Sequence, residues 1–228
     1  VSAEAESRPT TPQAAWDALA AGNDRYAAGT SAHPRQDPAH RASLETGQAP
    51  FTALFSCSDS RVPAELVFDV GLGDAFVVRN AGQIVSSSVV GSLEYAVEVL
   101  KTPLVVVVAH EHCGAVRAAI DSQGEHAPLL PVHISQLISN IVPAVRRVAG
   151  VERGVRIDTS EIDAHEVGRA HLRDTVSELL AASEIVSEAV AAGTLAVVGA
   201  TYRLVEGRIE PELAVGEIDL QPRAPQHA

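Results

Sequence analysis

The sequence predicts an α/β fold, with a mainly parallel central β-sheet flanked by helices and an N-terminal helical arm. Three observations predict it. Four runs of strand length are rich in β-branched or aromatic residues: FTALFS (51–56), AFVVR (75–79), PLVVVVA (103–109) and LAVVGATYRL (195–204). Near-continuous apolar strands are those buried on both faces, as in parallel sheets. Between the second and third runs lies SSSVVGSLEYAVEVLK, where Val89, Leu93, Ala96, Val97 and Leu100 fall on one helical face. Strand, helix, strand at this spacing reads as a βαβ unit, which lays helices against the sheet. Finally, the amphipathic stretch HLRDTVSELLAASEIVSEAVAAG stops at Gly193, directly before the last core strand.

The arm comes first. In TTPQAAWDALAAGNDRYAAG, Thr11 precedes Pro12 and an Ala-rich run ends at a Gly, the signature of a capped helix. Trp16, Leu19 and Tyr26 give it only a narrow apolar stripe, so it docks on something larger instead of forming its own core. SAHPRQDPAHR (31–41) has two prolines and no apolar period, and reads as a connecting segment. Residues 1–45 are thus assigned to the arm and 46–228 to the α/β unit, one domain overall. The stretch 128–163 carries no distinctive signal, and no internal repeat is present.

Composition narrows the function. A net charge of −12 without any Lys/Arg cluster argues against nucleic acid as a partner. The longest apolar run, Leu104–Ala109, is far too short to span a bilayer, and VSAEAESRPT has neither the basic nor the apolar part of a secretory leader. A cytoplasmic protein is expected, although a chain starting with Val leaves a processed leader open. Two cysteines are too few for a disulfide scaffold, and in a reducing compartment they point to metal or catalysis.

Both cysteines fall beside predicted strand ends. CSDSR (57–61) follows the first core strand and HEHCG (110–114) the third, and the carboxyl edge of such a sheet is where ligands bind. His110 and Cys113 are close enough in sequence to chelate one ion once the chain turns. With Cys57 they form a Cys2His set, a known catalytic zinc arrangement when one position stays open. Thiolate and imidazole suit zinc better than magnesium or calcium. Asp59 or water is available as fourth ligand; the spacing of His112 would also let it be one, but it is expected to point away or stay near the mouth.

Bland readings stand beside this. H-x-x-C alone is a weak signal, both thiols are compatible with inert core positions, and Asp59–Arg61 is compatible with a surface ion pair. A carboxylate two residues from a metal-bound thiolate is nevertheless badly placed without a cation, and Arg61 supplies one. Two other functions remain: a thiol hydrolase with Cys57 or Cys113 as nucleophile and His110 as base, and a non-catalytic zinc protein closed by Asp59.

CSDSRVPAELVFDVGLGDAFVVRNAG followed by HEHCGAV resembles the β-class carbonic anhydrases, whose signatures are C-x-D-x-R and H-x-x-C-G. The resemblance runs from about Gly47 to Ile120 and returns in GTLAVVGATYRLVEGRIE. It implies zinc on Cys57, His110 and Cys113, with Asp59 and Arg61 as an adjoining dyad. It also implies that Gln48 hydrogen-bonds bicarbonate or the zinc-bound solvent, that Phe76 and Tyr95 line a CO2 pocket, and that Gly114 follows the second cysteine. Ala81 stands where a bulkier aliphatic is usual, and Ala109 where Gly often precedes the histidine.

The activity implied is reversible hydration of CO2 to bicarbonate and a proton through a zinc-bound hydroxide, which Asp59 orients while Arg61 holds Asp59 ionised. An off state is implied when Asp59 leaves Arg61 for the fourth zinc position. An inhibitory bicarbonate pocket in such proteins pairs a Trp with an Arg and a Tyr; here Leu54 replaces the Trp, while Arg79 and Tyr202 match. An open or pH-gated site without strong bicarbonate allostery is expected. A homodimer or homotetramer is implied, with Gln48 and Tyr95 reaching the neighbouring zinc.

Overall fold

The computed structural model describes residues 8–152 and 154–221. Most of VSAEAESRPT, read above for a leader, lies outside the described residues, as do residues 222–228. The centre is a five-stranded sheet of order β2-β1-β3-β4-β5. β1 (Thr52–Cys57), β2 (Ala75–Asn80), β3 (Leu104–His110) and β4 (Ala196–Arg203) run parallel, and β5 (Arg208–Val215) closes one edge antiparallel to β4. The mainly parallel α/β expectation holds. The crossover from β2 to β3 passes over β1, so the first and third core strands become neighbours.

Side-chain alternation along the strands divides the core between two faces. Leu54, Val106, Val108, Val198 and Ala200 pack on one side with α1 (Pro12–Ala27), reached through α2 (Pro38–Ser43), and with α3 (Ala64–Val67). Ala53, Phe55, Val105, Val107 and Val197 pack on the other. They meet α4 (Ser87–Glu94) there, and beyond α5 (Gly114–Asp121), α6 (Val132–Ile138) and α7 (Val142–Ala149), also α8 (Ala164–Ala182) and α9 (Glu184–Ala191). Val89, Leu93, Ala96 and Val97 are buried as their helical face predicts. α4 runs on into a π-helical turn, Tyr95–Val99, which carries Tyr95 outward.

α1 begins as its sequence requires, with the Thr11 hydroxyl accepting from the Ala14 N–H at 3.2 Å. Its stripe packs within this chain. Trp16 and Leu19 are buried against Phe51, Leu54, Val67 and Phe68. Asn23 fixes the register, donating to the carbonyls of Val67 at 3.0 Å and Gly207 at 2.8 Å and accepting from the Ile209 N–H at 2.8 Å. Asp69 ties down the connector by accepting from Arg25 Nε at 2.6 Å and from the N–H groups of Ala32 and His33 at 2.9 and 3.0 Å.

Three local features depart from the sequence reading. The amphipathic stretch ending at Gly193 is two helices, because the Ser183 hydroxyl accepts from the Val186 N–H and starts α9 afresh. The connector contains α2, capped by Asp37. The antiparallel β5 was not foreseen as a separate strand. No helix among the described residues is long and apolar enough to cross a membrane.

Candidate metal centre

Cys57 and His110 are the last residues of β1 and β3, adjacent strands at the carboxyl edge of the sheet. Beyond His110 the chain turns through His112, at φ +51°, and Cys113 occupies the N-cap of α5. Cys57 Sγ, Cys113 Sγ and a ring nitrogen of His110 all lie within 4.8 Å of one another, in buried residues. A third core cluster, including Ile84, Val116, Ile120, Ile141 and Val145, encloses the sulfurs.

The histidine is set to bind through Nε2. Its Nδ1 lies 2.8 Å from the Glu111 carbonyl, which only accepts, so Nδ1 carries the proton and Nε2 presents a lone pair. Nε2 is buried with no protein hydrogen-bond partner. An orphaned buried nitrogen between two thiols fits a soft-to-borderline cation. The two thiols titrate against each other. A hydrogen bond from Cys113 pulls the Cys57 thiol down to about 4 against burial, with His110 and the Gly82 N–H helping. Cys113 is pushed up through that same contact with Cys57, and by burial. Two sulfurs so close hold one negative charge between them readily and a second only with a cation.

Asp59 stands beside this group. Its Oδ2 is 4.0 Å from His110 Nε2. Arg61 engages it twice, from Nε to Oδ1 at 2.9 Å and from Nη2 to Oδ2 at 2.8 Å, and the Arg61 N–H adds a third bond to Oδ1 at 2.9 Å. That pairing with Arg61 holds the carboxyl well below the usual carboxylate range. Nη2 also donates to the His112 carbonyl at 3.0 Å, fastening the dyad to the turn between His110 and Cys113.

The remaining residues are dispersed. Phe76 and Tyr95 are stacked obliquely, ring centroids 6.0 Å apart, and Tyr95 is 46% exposed. Ala81 is exposed on the turn after β2, and Gly114 opens α5 with free space where a Cβ would stand. Gln48 is exposed and lines a different hollow, with Arg41, Leu44, Leu72 and Gly73. It is not brought to the centre of its own chain.

Leu54 is fully buried, and Tyr202 is buried with its hydroxyl 3.3 Å from that of Tyr26. Arg79 donates from Nε to the Cys57 carbonyl at 3.0 Å and from Nη2 to the Asp59 carbonyl at 2.8 Å, so it braces the C-x-D segment. Sequence reasoning missed this bracing, and the N–H of Gly82 on Cys57 Sγ at 3.3 Å. Asn80 and Gly82 are residue types that suit a turn, but no local pattern connects them to a cysteine so far away.

Comparison with known proteins accords with this geometry. The family model described as Carbonic anhydrase matches residues 52–209. Carbonic anhydrase 2 of Mycobacterium tuberculosis is 44% identical over 209 residues, covering 92% of this chain and 97% of that protein. The structure of the Coccomyxa β-carbonic anhydrase in complex with acetazolamide is similar at a TM-score of 0.62 and 28% identity, covering 82% of this chain and 80% of that one. One of the solved structures of two tetrameric β-carbonic anhydrases from Sordaria macrospora is similar at a TM-score of 0.62 and 26% identity, covering 86% and 96%. With the Cys2His cluster at the sheet edge and the match across most of its length, the chain belongs to the β-class carbonic anhydrases, the carbonate dehydratases.

Proposed function

We propose that Cys57, His110 and Cys113 hold zinc, and that CO2 is reversibly hydrated to bicarbonate and a proton beside it, with the Asp59–Arg61 dyad orienting the attacking water. The observation that carries this reading is one constellation: three convergent donor atoms with a carboxylate, kept ionised, 4.0 Å from His110 Nε2. Two sulfurs and an imidazole suit zinc over oxygen-seeking cations. Bound zinc supplies a Lewis acid that makes hydroxide available near neutral pH.

The side chains do the rest. Ionised Asp59 has only lone pairs to offer, so it accepts a hydrogen bond from the reacting water and turns that oxygen's free lone pair toward CO2. Arg61 keeps Asp59 ionised and holds both carboxylate oxygens through two hydrogen bonds, which supports the open form over the closed one. Phe76, Tyr95 and Ala81 form the apolar CO2 pocket, and Gly114 leaves the approach to Cys113 unobstructed.

Gln48 and Tyr95 complete the site of a neighbouring subunit in a homodimer or homotetramer. Their exposure in the single chain supports this, as do the exposed apolar residues Val99, Leu129, Val132 and Ile134. Residues 46–228 form the catalytic domain and 1–45 its arm, in a cytoplasmic enzyme that keeps both cysteines reduced.

Stopped-flow CO2 hydration on the zinc-loaded protein, from about pH 7 to pH 9 around the usual zinc-water pKa, tests the reading. Activity near its plateau at neutral pH is expected. Activity confined to alkaline pH identifies a gated site, and none at any pH with zinc bound overturns the catalytic role.

A further inference from the structure

Behind the three residues proposed to hold zinc lies a turn of which the proposed chemistry uses only Ala81. β1 and β2 pair so that Cys57 is opposite Asn80, and the chain leaving β2 folds back over the Cys57 sulfur. Asn80 closes this turn, its Nδ2 donating to the Ile84 carbonyl at 2.7 Å and its Oδ1 accepting from the Ile84 N–H at 2.8 Å. Gly82 sits inside it at φ +79°, where an added Cβ would come within 2.9 Å of the Ala115 Cβ. Both polar backbone groups of Gly82 are committed. Its N–H donates to Cys57 Sγ at 3.3 Å, and its carbonyl accepts from His171 Nε2 at 2.8 Å.

His171 belongs to α8 and is 3% exposed. Because a carbonyl only accepts, Nε2 carries a proton; burial lowers the pKa against the opposing pull of the Gly82 contact, which favours the neutral ring with Nδ1 bare. Nδ1 is buried without a protein partner. An apolar side chain would fill the same space and leave no ring nitrogen unpaired. Packing alone therefore does not account for an imidazole here, whereas a donor to the Gly82 carbonyl does.

We propose that His171 is a positioning residue for the metal centre: by holding the Gly82 carbonyl it keeps the Gly82 N–H on the Cys57 sulfur. This rests on the zinc reading above. A hydrogen bond to a thiolate draws charge from the sulfur, so it both orients the ligand and moderates the charge that two thiolates deliver to the ion. α8 thereby becomes the back wall of a site whose ligands come from β1, β3 and the turn after β3.

The test compares zinc-loaded and cobalt-substituted wild type with His171→Leu, which removes the donor, and His171→Gln, which retains an N–H of similar reach. His171→Leu is expected to release zinc to a chromogenic chelator at least about tenfold faster. Its thiolate-to-cobalt absorption band should move to longer wavelength as the sulfur becomes more electron-rich, while His171→Gln stays near wild type on both readings. If His171→Leu does not fold, His171→Asn replaces it, since the shorter amide stays polar but falls short of Gly82. Folded donor-less protein with wild-type zinc release and an unshifted band overturns the proposal, and so does His171→Gln behaving like the donor-less variant. Wild type that takes up no zinc overturns the metal centre itself, and is recognisable before any variant is made.

Discussion

Asp59 and Arg61 meet side by side through two parallel hydrogen bonds, and the same guanidinium reaches the carbonyl of His112 at 3.0 Å. One arginine therefore sets the carboxylate and the ligand-bearing turn in a common frame. Arg61→Ala should keep its zinc and lose about 10–100-fold in CO2 hydration near pH 7.5, the range seen when outer partners of metal sites are removed. Metal content by atomic absorption, alongside stopped-flow rates, checks this. Loss of zinc in step with activity would show instead that Arg61 holds the site together.

The dyad also fixes a pH expectation. The Arg61 contacts depress the Asp59 pKa in the folded protein, so the carboxylate remains charged down through the acid range and protonates only below the ordinary Asp value of about 3.9. Asp59→Asn should lower the rate by a similar factor at every pH between about 7 and 9, leaving the position of the pH profile unchanged. A profile displaced by a full pH unit would assign the titration to Asp59 after all.

Chelation separates the enzyme from its alternatives. Stripping zinc should abolish CO2 hydration and restoring it should recover the rate, while Cys57→Ser or Cys113→Ser should fail to recover. A thiol hydrolase would stay active without metal and die on alkylation, so activity in the stripped protein sinks the zinc reading.

Bicarbonate should inhibit without cooperativity. Arg79 is occupied with the carbonyls of Cys57 and Asp59, Tyr202 faces Tyr26, and Leu54 is sealed in the core, so the trio offers no ready anion cradle. Initial rates at fixed pH and rising bicarbonate test this; a sigmoidal fall would contradict it. Arg79→Ala should weaken zinc retention by releasing the C-x-D backbone.

Asp69 makes the arm acid-sensitive. Burial raises its pKa, but the N–H of Ala32, the Arg25 guanidinium and the N–H of His33 outweigh it, and the net shift is downward. A depressed folded pKa gives stability that is present above the unfolded value, near 3.9, and lost as pH falls through the folded one. Asp69→Asn should cost about 2 kcal/mol at pH 7 and progressively less as pH falls below the ordinary Asp value of about 3.9, as a series of thermal melts across the acid range will reveal.

How much of this was legible depended on whether the signal was local. The core strands and both cysteine motifs are local patterns, and they were found, with ends misplaced by a residue: Cys57 and His110 finish their strands instead of following them. The strand β5 hid because Pro211 interrupts it and Arg208, Glu210 and Glu212 leave it no continuous apolar run; the structure accommodates Pro211 opposite Ala200, beside a register shift at an edge. The break at Ser183 hid because the apolar period runs on through it. His171 was invisible for a different reason. Its partner, Gly82, is 89 residues away, and no local spacing encodes that meeting.

The strand order also has a consequence during synthesis. A growing chain emerges with the thiol of Cys57 long before β3, its neighbour in the sheet, has been made, and α8 follows later still. At ordinary translation rates that interval is on the order of several seconds. Until it closes, Cys57 is a lone thiol, without the His110 and Cys113 that the finished fold brings within 4.8 Å of it.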